Sequence, residues 1–340
     1  MSIPSMTRRA AMRLAGMLFA CAALCGAPSA WAGKAYQYFA TGNTADVVLP
    51  KPAAAAMVLM GGGPDVDAAF KWMIQKGGGG NFVVIRATGT DAYNPYIYAM
   101  GGVSSVETLV VPSSAAANDP FVIDRVQRAE AIFIAGGDQD DYLKLWKGTA
   151  LQSAVQARAN RNVPVGGTSA GLAVMGQYIF AAYNKTILSG DALANPYDRN
   201  LTLDRDFLAL PDLQLSITDS HLDTRDRMGR LITFLARIVN DKWSSVARGV
   251  GIDVETALLV ENGQATRVGL GSAYFLKTVG LPQVCAPKQP LTYENIGVQR
   301  LSGSGSFDMR NWAGYGATTN YGISAIKGVL YSTQSGGLIY

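Results

Sequence analysis

Five short runs, at 56–60, 82–85, 108–111, 131–135 and 163–165, are apolar on consecutive residues instead of alternate ones. A strand with one wet face alternates, so runs of this kind belong to strands covered on both faces, as in a parallel sheet flanked by helices. Segments with helical apolar spacing lie between them, at 66–75, 119–128 and 142–159. The alternation predicts an α/β fold: a doubly wound, mostly parallel sheet with helices on both faces. Ligands of such sheets bind beyond the carboxyl ends of the strands. Glycines cluster there, as Gly61–Gly63, Gly136–Gly137 and Gly166–Gly167. None of these clusters ends in the Gly-Lys-Ser or Gly-Lys-Thr of a phosphate loop, and Gly61–Gly63 reads as a tight turn.

The last cluster opens Gly167-Thr168-Ser169-Ala170-Gly171. With an apolar strand before it and a helix-forming segment, 172–178, after it, Ser169 is placed on a strand-to-helix turn, the setting of a nucleophile elbow. The amides at the start of the following helix suit a developing oxyanion. A serine needs a base, and His221 is the single histidine of the chain. Ser169 and His221 are therefore the candidate nucleophile and base. One histidine, with Cys285 as the one cysteine beyond residue 32, makes no zinc site, so no metal and no cofactor are expected.

The first 32 residues read as a secretory signal: Arg8, Arg9 and Arg13 form a basic head, 14–27 is apolar, and Ala30-Trp31-Ala32 supplies a cleavage pattern before Gly33. The apolar run is too short to span a bilayer, so the expected address is periplasm or medium, with no membrane attachment after cleavage. Without the three leader arginines the formal net charge falls from +4 to +1, which gives no general claim on nucleic acid. Two of the three cysteines, Cys21 and Cys25, leave with the leader. The fold then rests on its core and not on a disulfide.

After the elbow, 213–217 reads as a strand running to Asp219-Ser220-His221, followed by a helix from Thr224 to Val239. The stretches 250–253, 256–260 and 266–270 read as antiparallel strands around the Glu261-Asn262-Gly263 turn. From Pro282 the chain turns to glycine, serine and short β-prone pieces. The organisation expected is a leader over 1–32, one α/β domain over 33–281, and a β-rich C-terminal appendage over 282–340 packed on that domain.

Four motifs now stand in one order: Gly136-Gly137-Asp138-Gln139, the elbow, Asp219-Ser220-His221 followed by Arg225, Arg227 and Arg230, and Gly251-Ile252-Asp253. Over about 57–260 this resembles the cyanophycinase branch of the serine peptidase family that also holds aspartyl dipeptidase, whose fold is of the class I glutamine-amidotransferase type. The resemblance implies an exopeptidase that degrades cyanophycin, a polyaspartate carrying arginine on each β-carboxyl, to β-aspartyl-arginine dipeptides. It implies a substrate pocket involving Gln139, Asp219, Arg225, Arg227 and Arg230, and an oxyanion site at the amides of Gly137 and Ala170. The guanidinium fork suits carboxylates. At helical spacing, however, 225 and 227 do not share a face, which leaves one or more of the arginines to structure. The implied partner is a polymeric or dipeptide substrate of aspartate and arginine, and a homodimer is compatible with the sequence.

The chain departs from the family where Gly-Ile-Asp-Glu is expected: it reads Gly251-Ile252-Asp253-Val254-Glu255. Either Asp253 or Glu255 is left to orient the histidine. Glu255 has the longer reach and is preferred. Three other functions remain: an α-aspartyl or isoaspartyl dipeptidase, a non-catalytic peptide-binding protein, and an α/β-hydrolase esterase. The esterase is disfavoured because its histidine follows the acid near the C-terminus.

Overall fold

The computed structural model describes residues 34–47 and 54–340, and the leader expected at 1–32 lies outside them. The five apolar runs form the strands Ala56–Met60, Asn81–Arg86, Ser105–Val110, Ala131–Ile134 and Val165–Thr168, buried along nearly their whole length. They pair in parallel in the order Ser105–Val110, Asn81–Arg86, Ala131–Ile134, Val165–Thr168, Ala56–Met60. The helix Asp67–Lys76 sets Phe70 and Met73 against one face, beside Phe82 and Phe133. Helices Pro120–Gln127, Gln139–Trp146 and Ala150–Ala159 cover the other.

Two helix expectations are corrected. The segment 142–159 is two helices, parted at Gly148, whose φ of +78° a residue with a Cβ rarely adopts. The helix expected after the elbow is one turn, Ala170–Ala173. The chain then returns as the strand Tyr178–Phe180, where β-prone Tyr178, Ile179 and Phe180 outweigh the helical spacing.

The larger departure is a second sheet. The parallel core belongs to a 10-stranded sheet that continues antiparallel through Thr256–Glu261, Gln264–Gly269, Ser306–Asp308 and Ala313–Tyr315 at one side and ends in the antiparallel strand Gln37–Gly42 at the other. An 8-stranded sheet runs Val329–Ser332, Thr318–Ile326, Tyr293–Leu301, Ala273–Lys277, Arg248–Ile252, Ser216–Ser220, Tyr178–Phe180, Leu203–Arg205. The strand Arg248–Ile252, expected beside Thr256–Glu261, instead pairs in parallel with Ser216–Ser220. Residues 253–255 carry the chain from one sheet to the other, and Val250 and Ile252 of the second sheet share one buried core with Leu258 and Val260 of the first. Phe275 and Phe307 stack across this layer with ring centroids 3.6 Å apart. The helix Met228–Asn240, whose buried apolar stripe includes Leu231, Ile232, Phe234, Leu235, Ile238 and Val239, covers the outer face of the second sheet. The stretch 282–340 is not one separate layer: its strands extend both sheets.

Candidate active site

Ser169 ends the strand Val165–Thr168 of the first sheet, and His221 follows Ser216–Ser220 of the second. The site therefore lies where the carboxyl ends of two sheets meet. The elbow closes because Gly171 passes over the neighbouring strand: a Cβ there would come within 2.0 Å of the Ile134 carbonyl oxygen. Ser169 itself takes φ +53° and ψ −114°, a strained conformation for a residue with a side chain. Its Oγ lies 2.9 Å from His221 Nε2, within hydrogen-bond distance.

The strand end 60–62 holds both groups. Its successive carbonyls accept the backbone amides of Ser169 (Met60 O, 3.2 Å), His221 (Gly61 O, 2.8 Å) and Glu255 (Gly62 O, 3.0 Å). All three donors have positive φ, between 49° and 53°. Gly62, at φ +89°, lies directly beneath the pair, where a Cβ would stand 2.4 Å from His221 Nε2 and 3.1 Å from Ser169 Cβ. The glycine triplet read as a tight turn is thus the seat of the serine–histidine pair. Its position at the end of the strand next to the elbow strand was the one available signal.

Neither candidate acid reaches the imidazole. The Asp253 carboxylate is buried and accepts the amides of Asp223 at 3.2 Å and Ser272 at 2.9 Å. Burial pushes Asp253 up to about 7, and neighbouring Asp223 adds to the rise. Glu255 docks through its main chain. Among the described residues, neither carboxylate hydrogen-bonds to His221. Burial lowers the imidazole to about 4, helped by Arg225 and Arg227 and opposed by Asp219. The resting histidine is therefore neutral, as a base must be.

A cavity of about 460 Å³ opens from Ser169. Gly137 and Ala170 line it beside the serine, and Gln139, whose Nε2 donates to the Phe180 carbonyl at 3.2 Å, lines it too. Cations occupy part of the wall, with Lys185, Arg225 and Arg227, and carboxylates another part, with Asp138 and Asp140. Arg225 and Arg227 both reach it because they precede the helix, which starts at Met228, so the helical-spacing objection does not apply. Arg230 and Asp219, expected to bind substrate, are committed to each other: two guanidinium nitrogens donate to Asp219 at 2.8 and 2.6 Å, both residues being buried. They form a floor that draws in Arg227, 3.6 Å from Asp219. Lys185 and Thr186, absent from the sequence reading, enter through the loop after Ala181, which no motif marks.

Among the described residues, one acidic group has the spacing for a cation: Asp138, Asp140 and Asp141, with carboxylate oxygens within 4.8 Å of one another. Lys144 already pairs with Asp140 at 2.8 Å. A second cavity of about 330 Å³, lined by Met57, Val165 and Arg310, opens at the opposite ends of the central strands, away from Ser169.

Fold and site together define a class: an α/β protein with a serine–histidine nucleophile pair on a strand–helix elbow. Residues 100–268, just under half of the chain, match the model of peptidase family S51. The chain is 30% identical over 216 residues to the cyanophycinase of Synechococcus elongatus, covering 62% of each chain. It is 26% identical over 212 residues to the cyanophycinase of Trichormus variabilis, covering 61% of this chain and 66% of that one. The alignment thus spans less than two thirds of these relatives' length. Among solved structures, a peptidase from an acI-B1 actinobacterium aligns with 75% of this chain and 97% of its own, at 16% identity and a TM-score of 0.48.

Proposed function

We propose that the protein is an exported serine exopeptidase that hydrolyses cyanophycin and releases β-aspartyl-arginine dipeptides. The observation that carries this reading is the cavity at Ser169, with cations and carboxylates on its wall. A β-aspartyl-arginine unit presents carboxylates and a guanidinium within one short molecule, so it is complementary to such a wall. Arg225 and Arg227, with Lys185, receive the carboxylates, and Asp138, whose neighbour Asp140 is taken by Lys144, receives the guanidinium. The cyanophycinase relatives and the leader-like first 32 residues support the substrate class and the export.

The chemistry follows from the pair. Ser169 Oγ attacks the scissile carbonyl while His221 Nε2 takes its proton. The amides of Gly137 and Ala170 hold the oxyanion. Collapse of the tetrahedral intermediate breaks the C–N bond, and His221 gives the proton to the leaving amine. Water then attacks the acyl-enzyme by the same route in reverse, freeing the acid and restoring the serine. The test is incubation of purified protein with insoluble cyanophycin and mass analysis of the soluble products. β-Aspartyl-arginine in solution, absent with Ser169→Ala, is the expected result. Cleavage of free aspartyl dipeptides without attack on the polymer would make the protein a dipeptidase. Peptide binding without turnover would make it a binding protein.

A further inference from the structure

The loop 222–227 joins His221 to the helix Met228–Asn240 and carries Arg225 and Arg227 into the cavity. Leu222 is buried and the amides of Arg225, Asp226 and Arg227 close turns within the loop, but the side chains of 223–226 are exposed and Asp226 sits at φ +45°. This exposed stretch is also held from outside, by a residue more than a hundred positions along the chain. The Tyr340 hydroxyl donates to Asp226 Oδ1 at 2.9 Å and accepts the Met228 amide at 3.0 Å. That second bond satisfies one of the free amides of the helix's first turn. The Tyr340 ring packs edge-on against Tyr274, centroids 6.0 Å apart, and Tyr321 donates to the Ile339 carbonyl at 2.9 Å, so the strut itself is fixed to the second sheet. From the other side, Ser189 Oγ donates to the Asp226 carbonyl and accepts the Arg230 amide at 3.1 Å. Both anchors meet at Asp226, between the two pocket arginines.

We infer that Tyr340 is a positioning residue, which sets the affinity for substrate carboxylates by holding the Arg225–Arg227 loop in register with Ser169. The inference rests on the proposed role of those arginines in binding, and it gives the segment after the last strand, Val329–Ser332, a part in the site that no motif there announces. Burial raises the Tyr340 phenol above its ordinary value, which keeps it a donor to Asp226. The hydroxyl acts on the loop and stays clear of the nucleophile, so its loss weakens binding and spares the chemical step.

The variant is Tyr340→Phe, which keeps the ring on Tyr274 and removes both hydrogen bonds. Losing two bonds at one hydroxyl, one to a carboxylate, is expected to raise KM about tenfold with kcat within about twofold. Phosphonylation of Ser169 by a small fluorophosphonate, which needs no carboxylate contact, proceeds at the wild-type rate. Hydrogen exchange of 222–228 quickens while that of Arg248–Ile252 does not. Asp226→Ala gives a similar rise in KM, and the double variant adds little to either. Unchanged exchange in 222–228 overturns the inference whatever the substrate. So does a loss carried by kcat, or a parallel fall in phosphonylation. If the unaltered protein turns over no aspartate–arginine substrate, the functional reading fails instead, and the exchange measurement alone decides whether Tyr340 anchors the loop.

Discussion

His221 shows how burial and neighbouring charge decide a residue's task. An exposed imidazole titrates near ~6.5, and on that value activity would climb through the slightly acidic range. Burial and the two pocket arginines hold this one down to about 4. The acid limb of kcat/KM, which reports the free enzyme, is expected near pH 4. The limb of kcat should stand higher, because a bound carboxylate offsets the charge of Arg225 and Arg227. Coincident limbs near pH 6.5 would contradict the burial argument. Stability carries the matching sign: between pH ~6.5 and 4 the unfolded chain binds a proton that the folded chain refuses, so this contribution is complete above ~6.5 and is lost on acidification. Asp253 and Glu255 belong to the same scale. Asp253 accepts two backbone amides, and its amide variant keeps one good acceptor. Asp253→Asn should therefore lower stability by about 1–2 kcal/mol in denaturant unfolding. Glu255→Gln should leave both stability and kcat near wild type. A collapse of kcat in Glu255→Gln with KM unchanged would restore that residue as the histidine's partner.

At the scale of elements, the strand end 60–62 aligns the reactive groups. Three successive carbonyls receive Ser169, His221 and the crossover at Glu255, so one short stretch of backbone registers the elbow against the second sheet. Gly62→Ala introduces a Cβ at 2.4 Å from His221 Nε2. Turnover is expected to fall on the order of 100-fold, since displacement of a reacting group by about 1 Å costs that much. Near-normal turnover in this variant would show that the pair tolerates displacement. The helix start at Met228 has a comparable consequence. It leaves 222–227 as a loop and lets Arg225 and Arg227 reach one cavity.

For the whole molecule, the join between the two sheets is the feature on which the site depends, because each sheet carries one half of the serine–histidine pair. Phe275 from one sheet and Phe307 from the other stack at the centre of that join. Both are fully buried. Phe307→Ala should cost about 3–5 kcal/mol in denaturant unfolding, with a loss of activity at temperatures where Phe275→Leu remains active. A change below 1 kcal/mol would mean that the sheets are held together elsewhere. Because the strands of 282–340 extend both sheets, this segment belongs to the folding unit.

The local pattern of the chain was enough to define the parallel core and the elbow. Runs apolar on both faces can be buried only in a covered sheet, and a glycine-flanked serine at such a strand's end needs no distant information to be placed. The lone histidine identified the partner of Ser169 by elimination. Other features depended on contacts between segments far apart in sequence, and local pattern does not encode these. The transfer of Arg248–Ile252 to a second sheet rests on its pairing with Ser216–Ser220, some thirty residues earlier, and on a core that Val250 and Ile252 share with both sheets. The withdrawal of Arg230 into a pair with Asp219 depends on a helix packing over a strand. The seat at Gly62 exists only because two sheets converge on it. The sequence by itself determined which chemical groups the protein has. The tertiary structure decided which of them face the cavity, because partners supplied by remote strands satisfy some charges and leave others for a ligand.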